Sequence, residues 1–245
     1  MNIGIVTQAR MTSTRLPGKV LKTVLDKPLL QYHLEQLQQV RLADRIIVAT
    51  TTNATDNPII QWCDRLAIAY YRGSENDVLS RYYHAAKTYQ IDPIIRVTSD
   101  CPLIDPEIVD RLIQSYLDSQ PPVDYFSNCL ERTYPRGMDA EIFSFKSLEE
   151  AFQEATAQPD REHVTPFIYR QPQRYRIAHL KDKKNNSHHR WTVDTPEDFQ
   201  LIEKIIKSLS RSEEKLTFKN CLILLENHPE WSKINTHIEQ KKYGQ

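Results

Sequence analysis

The sequence predicts an α/β fold: a mainly parallel central sheet with helices on both faces and an inserted, partly antiparallel edge. Three observations carry this expectation. Short apolar runs alternate with amphipathic segments of helical spacing through the first half of the chain, the pattern of βαβ units. Asp105-Pro106-Glu107 has the chemistry of a helix start, with a capping acid, a proline for the first position and an acid in the first turn. Beyond residue 120 the elements become less regular, as an inserted edge would be.

Taken in order, Asn2 to Thr7 is a short apolar run and reads as a buried strand. Pro28 to Val40 reads as a helix, with Leu29, Leu30, His33, Leu34, Leu37 and Val40 at helical spacing. Arg45 to Thr50 is a second apolar strand, Asn57 to Leu66 a helix, and Ile68 to Tyr71 a third strand. Asp77 to Tyr89 is an amphipathic helix, Ile94 to Thr98 a fourth strand, and the helix opened by Asp105 runs through Leu117. In the second half, Val123–Ser127, Glu141–Phe145, Tyr175–Leu180 and Arg190–Val193 read as strands. Ser147 to Ala157 reads as a helix with a serine cap, and Arg161 to Arg170 as another. Lys181 to His189 is a polar loop, and Thr195-Pro196-Glu197-Asp198 starts a helix to about Leu209. Lys207 to Lys215 reads as a linker, with terminal helices over Phe218–Glu226 and Trp231–Lys241. The expected organisation is a catalytic domain over 1–209, with halves 1–120 and 121–209, and a helical tail over 210–245.

Composition bounds the function. The chain has 245 residues, 40% hydrophobic and 26% charged, which is ordinary for a folded globule. Lys+Arg and Asp+Glu are both 32, so any anion site is a local cluster and a nucleic-acid-binding role is not expected. No apolar run approaches the roughly 18 residues of a membrane span. Met1 to Val6 has no basic n-region and reads as a strand, not a signal peptide. The cysteines at 63, 101, 129 and 221 form no C-x-x-C pair and read as reduced thiols, so a cytoplasmic protein is expected. Only five glycines occur, and Gly18, Gly73 and Gly137 fall in polar, charged loops, where turns or close ligand approach call for them.

In open α/β sheets ligands sit beyond the carboxyl ends of the strands. The segment after the first strand, Gln8-Ala9-Arg10-Met11-Thr12-Ser13-Thr14-Arg15-Leu16-Pro17-Gly18-Lys19, carries three cations and three hydroxyls. Guanidinium groups bind phosphate oxygens bidentately and lysine neutralises charge at a point. Read alone, the loop fits either a polyphosphate site or a solvated basic loop. It is not a Walker A loop, because Val20 follows Lys19. Two carboxylates stand at the ends of predicted strands. Asp100 follows the fourth strand, and Asp194 follows Arg190–Val193, where it is also readable as a helix cap.

The loop from Ala9 to Lys19 resembles the N-terminal signature of the cytidylyltransferases that activate acidic sugars, such as CMP-Kdo synthetase. Within that superfamily the more specific resemblance is to the spore coat polysaccharide biosynthesis protein F family. It covers roughly residues 1 to 205 and rests also on Arg96-Val97-Thr98-Ser99-Asp100-Cys101-Pro102-Leu103, Pro135-Arg136-Gly137-Met138-Asp139-Ala140-Glu141, Arg161-Glu162-His163-Val164-Thr165-Pro166 and Trp191-Thr192-Val193-Asp194-Thr195-Pro196-Glu197-Asp198. The resemblance implies a Rossmann-like nucleotidyltransferase fold and attack of a sugar oxygen on the α-phosphorus of CTP. It implies Mg2+ as cofactor, with Asp100 and Asp194 as its ligands, and Arg10, Arg15 and Lys19 beside Asp100 as the catalytic set. Gln8, Ala9, Arg10, Ser13, Arg15 and Lys19 are expected on the nucleotide, and so are Arg72 and Asp77; Arg81 is a further candidate for base, ribose or sugar contacts. Arg136, Asp139, Glu141, Arg161 and His163 are expected on the acceptor sugar.

The segment from Arg72 to Arg81 departs from the Kdo group, so cytidine is implied by the resemblance and not read from those residues. Alternatives are another base, a sugar-phosphate acceptor, or a nucleotide-sugar-dependent glycosyltransferase. The last typically needs an Asp-x-Asp motif, whereas Thr98-Ser99-Asp100 offers one acid. Leu222, Leu224, Leu225, Trp231 and Ile234 of the tail are expected to pack on the core or on a second copy in a homodimer.

Overall fold

The first predicted strand forms as β1 (Gly4–Gln8) and becomes an interior strand of the sheet, because it is apolar on both sides. Ile5 and Val6, both fully buried, enter different core clusters. The structure, a computed structural model, describes residues 1–240. After the loop that follows β1, a small ribbon of β2 (Thr23–Val24) and β3 (Lys27–Pro28) leads into α1 (Leu29–Leu37). Then come β4 (Arg45–Thr51), α2 (Asn57–Arg65), β5 (Ala69–Gly73), α3 (Val78–Thr88), β6 (Ile94–Thr98) and α4 (Pro106–Leu117). The second half contributes β7 (Tyr125–Ser127), β8 (Glu141–Phe143), α5 (Phe145–Glu154), α6 (Gln158–His163), α7 (Pro166–Tyr169) and β9 (Ile177–His179). Two helices close the chain, α8 (Pro196–Arg211) and α9 (Phe218–Asn227).

The main sheet has seven strands in the order β5-β4-β1-β6-β8-β7-β9. β5, β4, β1 and β6 are parallel; β8 runs antiparallel to both β6 and β7, so the inserted edge is partly antiparallel as expected. From β1 the chain moves outward through β4 and β5, then returns to place β6 on the other side of β1. The space between β1 and β6 is therefore a topological switch point, where loops part and leave a crevice. One side of the sheet packs on α4, α8 and α9 through Ile108, Leu112, Ile202, Ile205 and Leu225. The other packs on α3, α5 and α7 through Leu79, Tyr82, Leu148 and Ile168.

Several predicted elements change form. The cap of α5 is Ser144, which accepts from the Ser147 N–H, so the helix starts before the serine that was expected to open it. The predicted helix from Arg161 to Arg170 is two short helices, broken where Val164 takes a φ of +74°. Arg190–Val193 forms no ladder; it makes one bridge, Arg190 with Arg136, and the Val193 N–H donates to Asp100 O at 2.8 Å. The helix after Thr195 runs to Arg211, which shortens the predicted linker. The predicted helix from Trp231 forms only a 3-10 turn, Trp231–Lys233, and its expected end at Lys241 lies outside the described residues. Leu225 is buried in the core, and Leu222, Leu224, Trp231 and Ile234 pack against it from the same tail. Among the described residues no helix is long and apolar enough to cross a membrane.

Candidate active site

The crevice between β1 and β6 opens into a cleft of about 450 Å3, within the range of small-ligand sites. Its first wall is the loop after β1. That loop is closed by the Gly18 N–H donating to Met11 O at 2.8 Å, while Asp56 accepts the Met11 N–H at 2.8 Å. Gly18 has a φ of +68°, the left-handed region glycine adopts without strain, and this reversal starts a 3-10 turn at Lys19. Lys19 is thereby aimed across the crevice.

Its ammonium lies 2.7 Å from Asp100 Oδ2 and 2.7 Å from Asp194 Oδ1. Arg15 reaches Asp194 Oδ2 at 2.9 Å from the same loop. Burial alone would lower the Lys19 pKa, but Asp100 and Asp194 outweigh it and hold the pKa above its ordinary value. Burial would likewise raise the pKa of Asp100. Lys19 and the hydrogen bonds from Lys19, Thr98 and Cys101 instead hold it well below the carboxylate range. Thr98 Oγ1 donates to Asp100 Oδ1 at 2.6 Å, so both oxygens of this carboxylate are oriented.

Each carboxylate has its own support. Behind Asp100, the Cys101 carbonyl can only accept, so His33 Nδ1–H donates to it at 2.9 Å. His33 Nε2 must then accept from Thr7 Oγ1, also at 2.9 Å. Asp194 is not the helix cap: Thr195 caps α8 in a capping box with Asp198. Asp194 is instead held by Arg190, whose Nη2 lies 2.9 Å from Asp194 Oδ2 and 3.0 Å from Asp198 Oδ2. The segment carrying Arg190 is in turn fixed by the loop at Gly137. Trp191 N–H donates to Arg136 O at 2.6 Å, and Arg136 N–H donates to His189 O at 3.1 Å. Gly137 has a φ of +104°, and a Cβ there would lie 2.5 Å from the Trp191 carbonyl carbon.

The structure brings most of the predicted site together. Gln8, Ala9, Arg10, Ser13, Arg15 and Lys19 line the cleft on the β1 side, with Asp100 and Asp194 at its floor. Arg136, Asp139 and His163 line the opposite wall. Arg136 makes no ion pair among the described residues, while Asp139 is held by Arg132 in a two-point pair whose second bond is 2.8 Å. Burial lowers the His163 pKa, favouring the neutral ring.

Four predicted residues stand outside the cleft lining. Arg72 donates to the carbonyls of Thr51 (2.8 Å) and Asn53 (2.9 Å), tying β5 to the turn after β4. Asp77 caps α3 and pairs with Arg161, which also donates to Phe152 O at 2.7 Å; the pair staples α3 to α5 and α6. Glu141 is buried in β8, where it pairs with Arg96 and accepts from Tyr125 and Thr165 hydroxyls, each at 2.6 Å.

Glu75 was not singled out from the sequence, whereas Arg81 was a candidate for base, ribose or sugar contacts. Glu75 accepts from Thr12 and Asn53 and lies 3.7 Å from Arg10, fixing the loop after β1. Arg81 lines the cleft although it sits on the buried face of α3 with Val78, Leu79 and Tyr82. A polar residue at an apolar helical position was the available signal for His33 on α1.

A cationic loop after the first strand, with two oriented carboxylates at the switch point of a mostly parallel sheet, provides the parts of a nucleotidyltransferase. The model of the cytidylyltransferase family matches residues 3–228, and the chain belongs to that family. It is 36% identical to an uncharacterised protein of Methanocaldococcus jannaschii, over 98% of this chain and 97% of the relative. It is 29% identical to the spore coat polysaccharide biosynthesis protein SpsF of Bacillus subtilis, over 94% and 96%. A 3-deoxy-manno-octulosonate cytidylyltransferase of Pelobacter propionicus is 36% identical over 48% of this chain and 46% of its own length. Among solved structures, a cytidylyltransferase from Leptospira borgpetersenii superposes with a TM-score of 0.89 at 32% identity, covering 99% of this chain and all of that one. The chain is thus a nucleotidyltransferase of cytidylyltransferase type.

Proposed function

We propose that the enzyme is a Mg2+-dependent CMP-sugar synthetase, joining the cytidylyl group of CTP to an acidic sugar destined for a surface polysaccharide or glycan. The observation that carries this reading is the Lys19 ammonium held between Asp100 and Asp194. A cation between two carboxylates is a built cation position, facing a loop with two further cations. Mg2+ is normally bound by one or two carboxylates together with substrate phosphates and water, so Asp100 and Asp194 fit it, with Lys19 as its stand-in. When bound, the metal supplies charge neutralisation at the reacting phosphate.

The chain's own residues do the rest. Arg15 and Lys19 exchange their carboxylate partners for triphosphate oxygens, and Arg10, only loosely paired with Glu75, is available to the same phosphates. The acceptor oxygen forms a bond to the α-phosphorus while the bond from that phosphorus to the bridging oxygen of pyrophosphate breaks. His163, kept neutral by burial, takes the proton of the attacking hydroxyl. Arg136, a cleft-lining guanidinium without an ion pair among the described residues, holds the sugar carboxylate. Negative charge grows on the departing pyrophosphate, where Lys19, Arg10 and Arg15 stabilise it. The resemblance to SpsF supports a role in polysaccharide synthesis, and the similarity to a Kdo cytidylyltransferase supports CTP and an acidic sugar.

The test is a pyrophosphate-release screen with four nucleoside triphosphates, Mg2+, and panels of sugar acids and sugar phosphates. Release with CTP and at least one sugar acid is expected. Release only with sugar phosphates, or only with another triphosphate, would replace the acceptor or the base in this reading.

A further inference from the structure

The segment after α9 lies beyond the matched family region, which ends at residue 228, yet it reaches the site. Asn235 is only 2% exposed, although the residues around it in the tail are largely exposed. Its side-chain amide donates to Arg190 O at 2.9 Å and to Asp198 Oδ1 at 2.8 Å. Gln240 accepts from Arg190 Nη1 at 2.6 Å and itself lines the cleft. Arg190 is the residue that holds Asp194, and Asp198 holds Arg190. Every donor group of the Arg190 guanidinium is therefore engaged: Nε and Nη2 by Asp198, Nη2 also by Asp194, and Nη1 by the tail.

We infer that this tail is part of the catalytic machinery: Asn235 and Gln240 are positioning residues that fix Arg190, and through it the orientation of Asp194. A tail serving only to cover apolar surface would not need a buried amide on Asp198 or a glutamine bonded to Arg190 in the cleft lining. Once Asn235 is removed, Asp198 and Arg190 lose a fixed partner in a low-dielectric setting, and the Asp194 carboxylate gains rotational freedom. Metal ligands depend on such outer contacts, and their loss typically costs 10–100-fold in metal affinity or activity. The inference rests on the reading of Asp194 as a metal ligand given above.

The experiment is calorimetric titration of the full-length protein with CTP, without acceptor, in Mn2+ and in EDTA. The wild type should bind CTP more tightly in Mn2+, and Asp194→Asn should lose that gain. Asn235→Ala should lose at least about fivefold of the Mn2+-dependent gain while its affinity in EDTA stays that of the wild type. Gln240→Ala, at an exposed position, should show the same effect in smaller measure and guards against a folding defect in Asn235→Ala. Lys233→Ala, exposed on the same tail, should behave as the wild type. A full Mn2+-dependent gain in both Asn235→Ala and Gln240→Ala overturns the inference. No Mn2+-dependent gain in the wild type, or a full gain in Asp194→Asn, overturns instead the metal reading beneath it, and the inference with it.

Discussion

Replacing Lys19 with methionine nearly keeps the length of the side chain and removes the charge that separates Asp100 from Asp194. In the ligand-free protein two carboxylates would then face one another across the space the ammonium occupied, each formerly 2.7 Å from it. Removing one partner of a buried ion pair typically costs about 3–5 kcal/mol. The side chains here are 12%, 22% and 11% exposed for Lys19, Asp100 and Asp194, so the lower end of that range, about 3 kcal/mol, is the appropriate figure. For a chain of this size each kcal/mol shifts Tm by about 2–4 °C, so Lys19→Met should melt roughly 6–12 °C lower than the wild type. Magnesium should reverse much of that loss, because the two carboxylates become an unopposed cation site, whereas the wild type, already neutralised by Lys19, should gain less. Thermal melts of both proteins at several Mg2+ concentrations in the absence of nucleotide make the comparison. Equal melting temperatures without metal, or a Lys19→Met protein that Mg2+ does not stabilise, would refute the reasoning.

Glu141→Gln separates structural from substrate roles on the acceptor side. It leaves the half-buried Arg96 without its charge partner and should cost about 3 kcal/mol in denaturant unfolding, with KM for the acceptor unchanged; a raised KM at normal stability would return Glu141 to the substrate. Stability should also fall on the acid side because of His33. Burial pulls its pKa from 6.5 to about 4, so the unfolded chain takes up a proton below pH 6.5 that the folded chain refuses until about pH 4. The stabilisation is therefore complete above pH 6.5 and is lost as pH falls toward 4. Between pH 7 and pH 5 this one group should remove about 2 kcal/mol, a slope that His33→Gln should abolish in paired urea titrations.

The parallel half of the fold was legible because its strands are short apolar runs separated by long amphipathic helices, and β6 and α4 form with the predicted bounds. The second half was harder for local reasons. Arg190–Val193 has a strand's composition, but its neighbours are two site loops and not a ladder, so its backbone bonds go to Arg136 and Asp100. The helix predicted from Arg161 is broken by a left-handed valine, which no residue preference announces. The same division holds in the cleft. The cation loop and Asp100 were recognisable because they follow β1 and β6 into the crevice, whereas Asp194 follows no ladder strand and was recognised through the motif Trp191 to Asp198. Arg161 and Asp77 were equally charged, but each is the other's partner across 84 residues of sequence, and charge alone does not reveal its destination. The tail looked featureless because Asn235 and Gln240 act through Arg190, a relationship only the fold creates.

The central claim is that Asp100 and Asp194 together form the cation site for displacement at the α-phosphorus. It is tested most directly with CTP labelled at the α-phosphate, Mg2+ and an accepted sugar acid, comparing the wild type with Asp100→Asn and Asp194→Asn. The account predicts transfer of label to the sugar by the wild type, with one pyrophosphate released per product, and a fall in kcat of at least about 100-fold in each variant while CTP binding in EDTA persists. Wild-type turnover in either variant, or label released with the pyrophosphate, would contradict it.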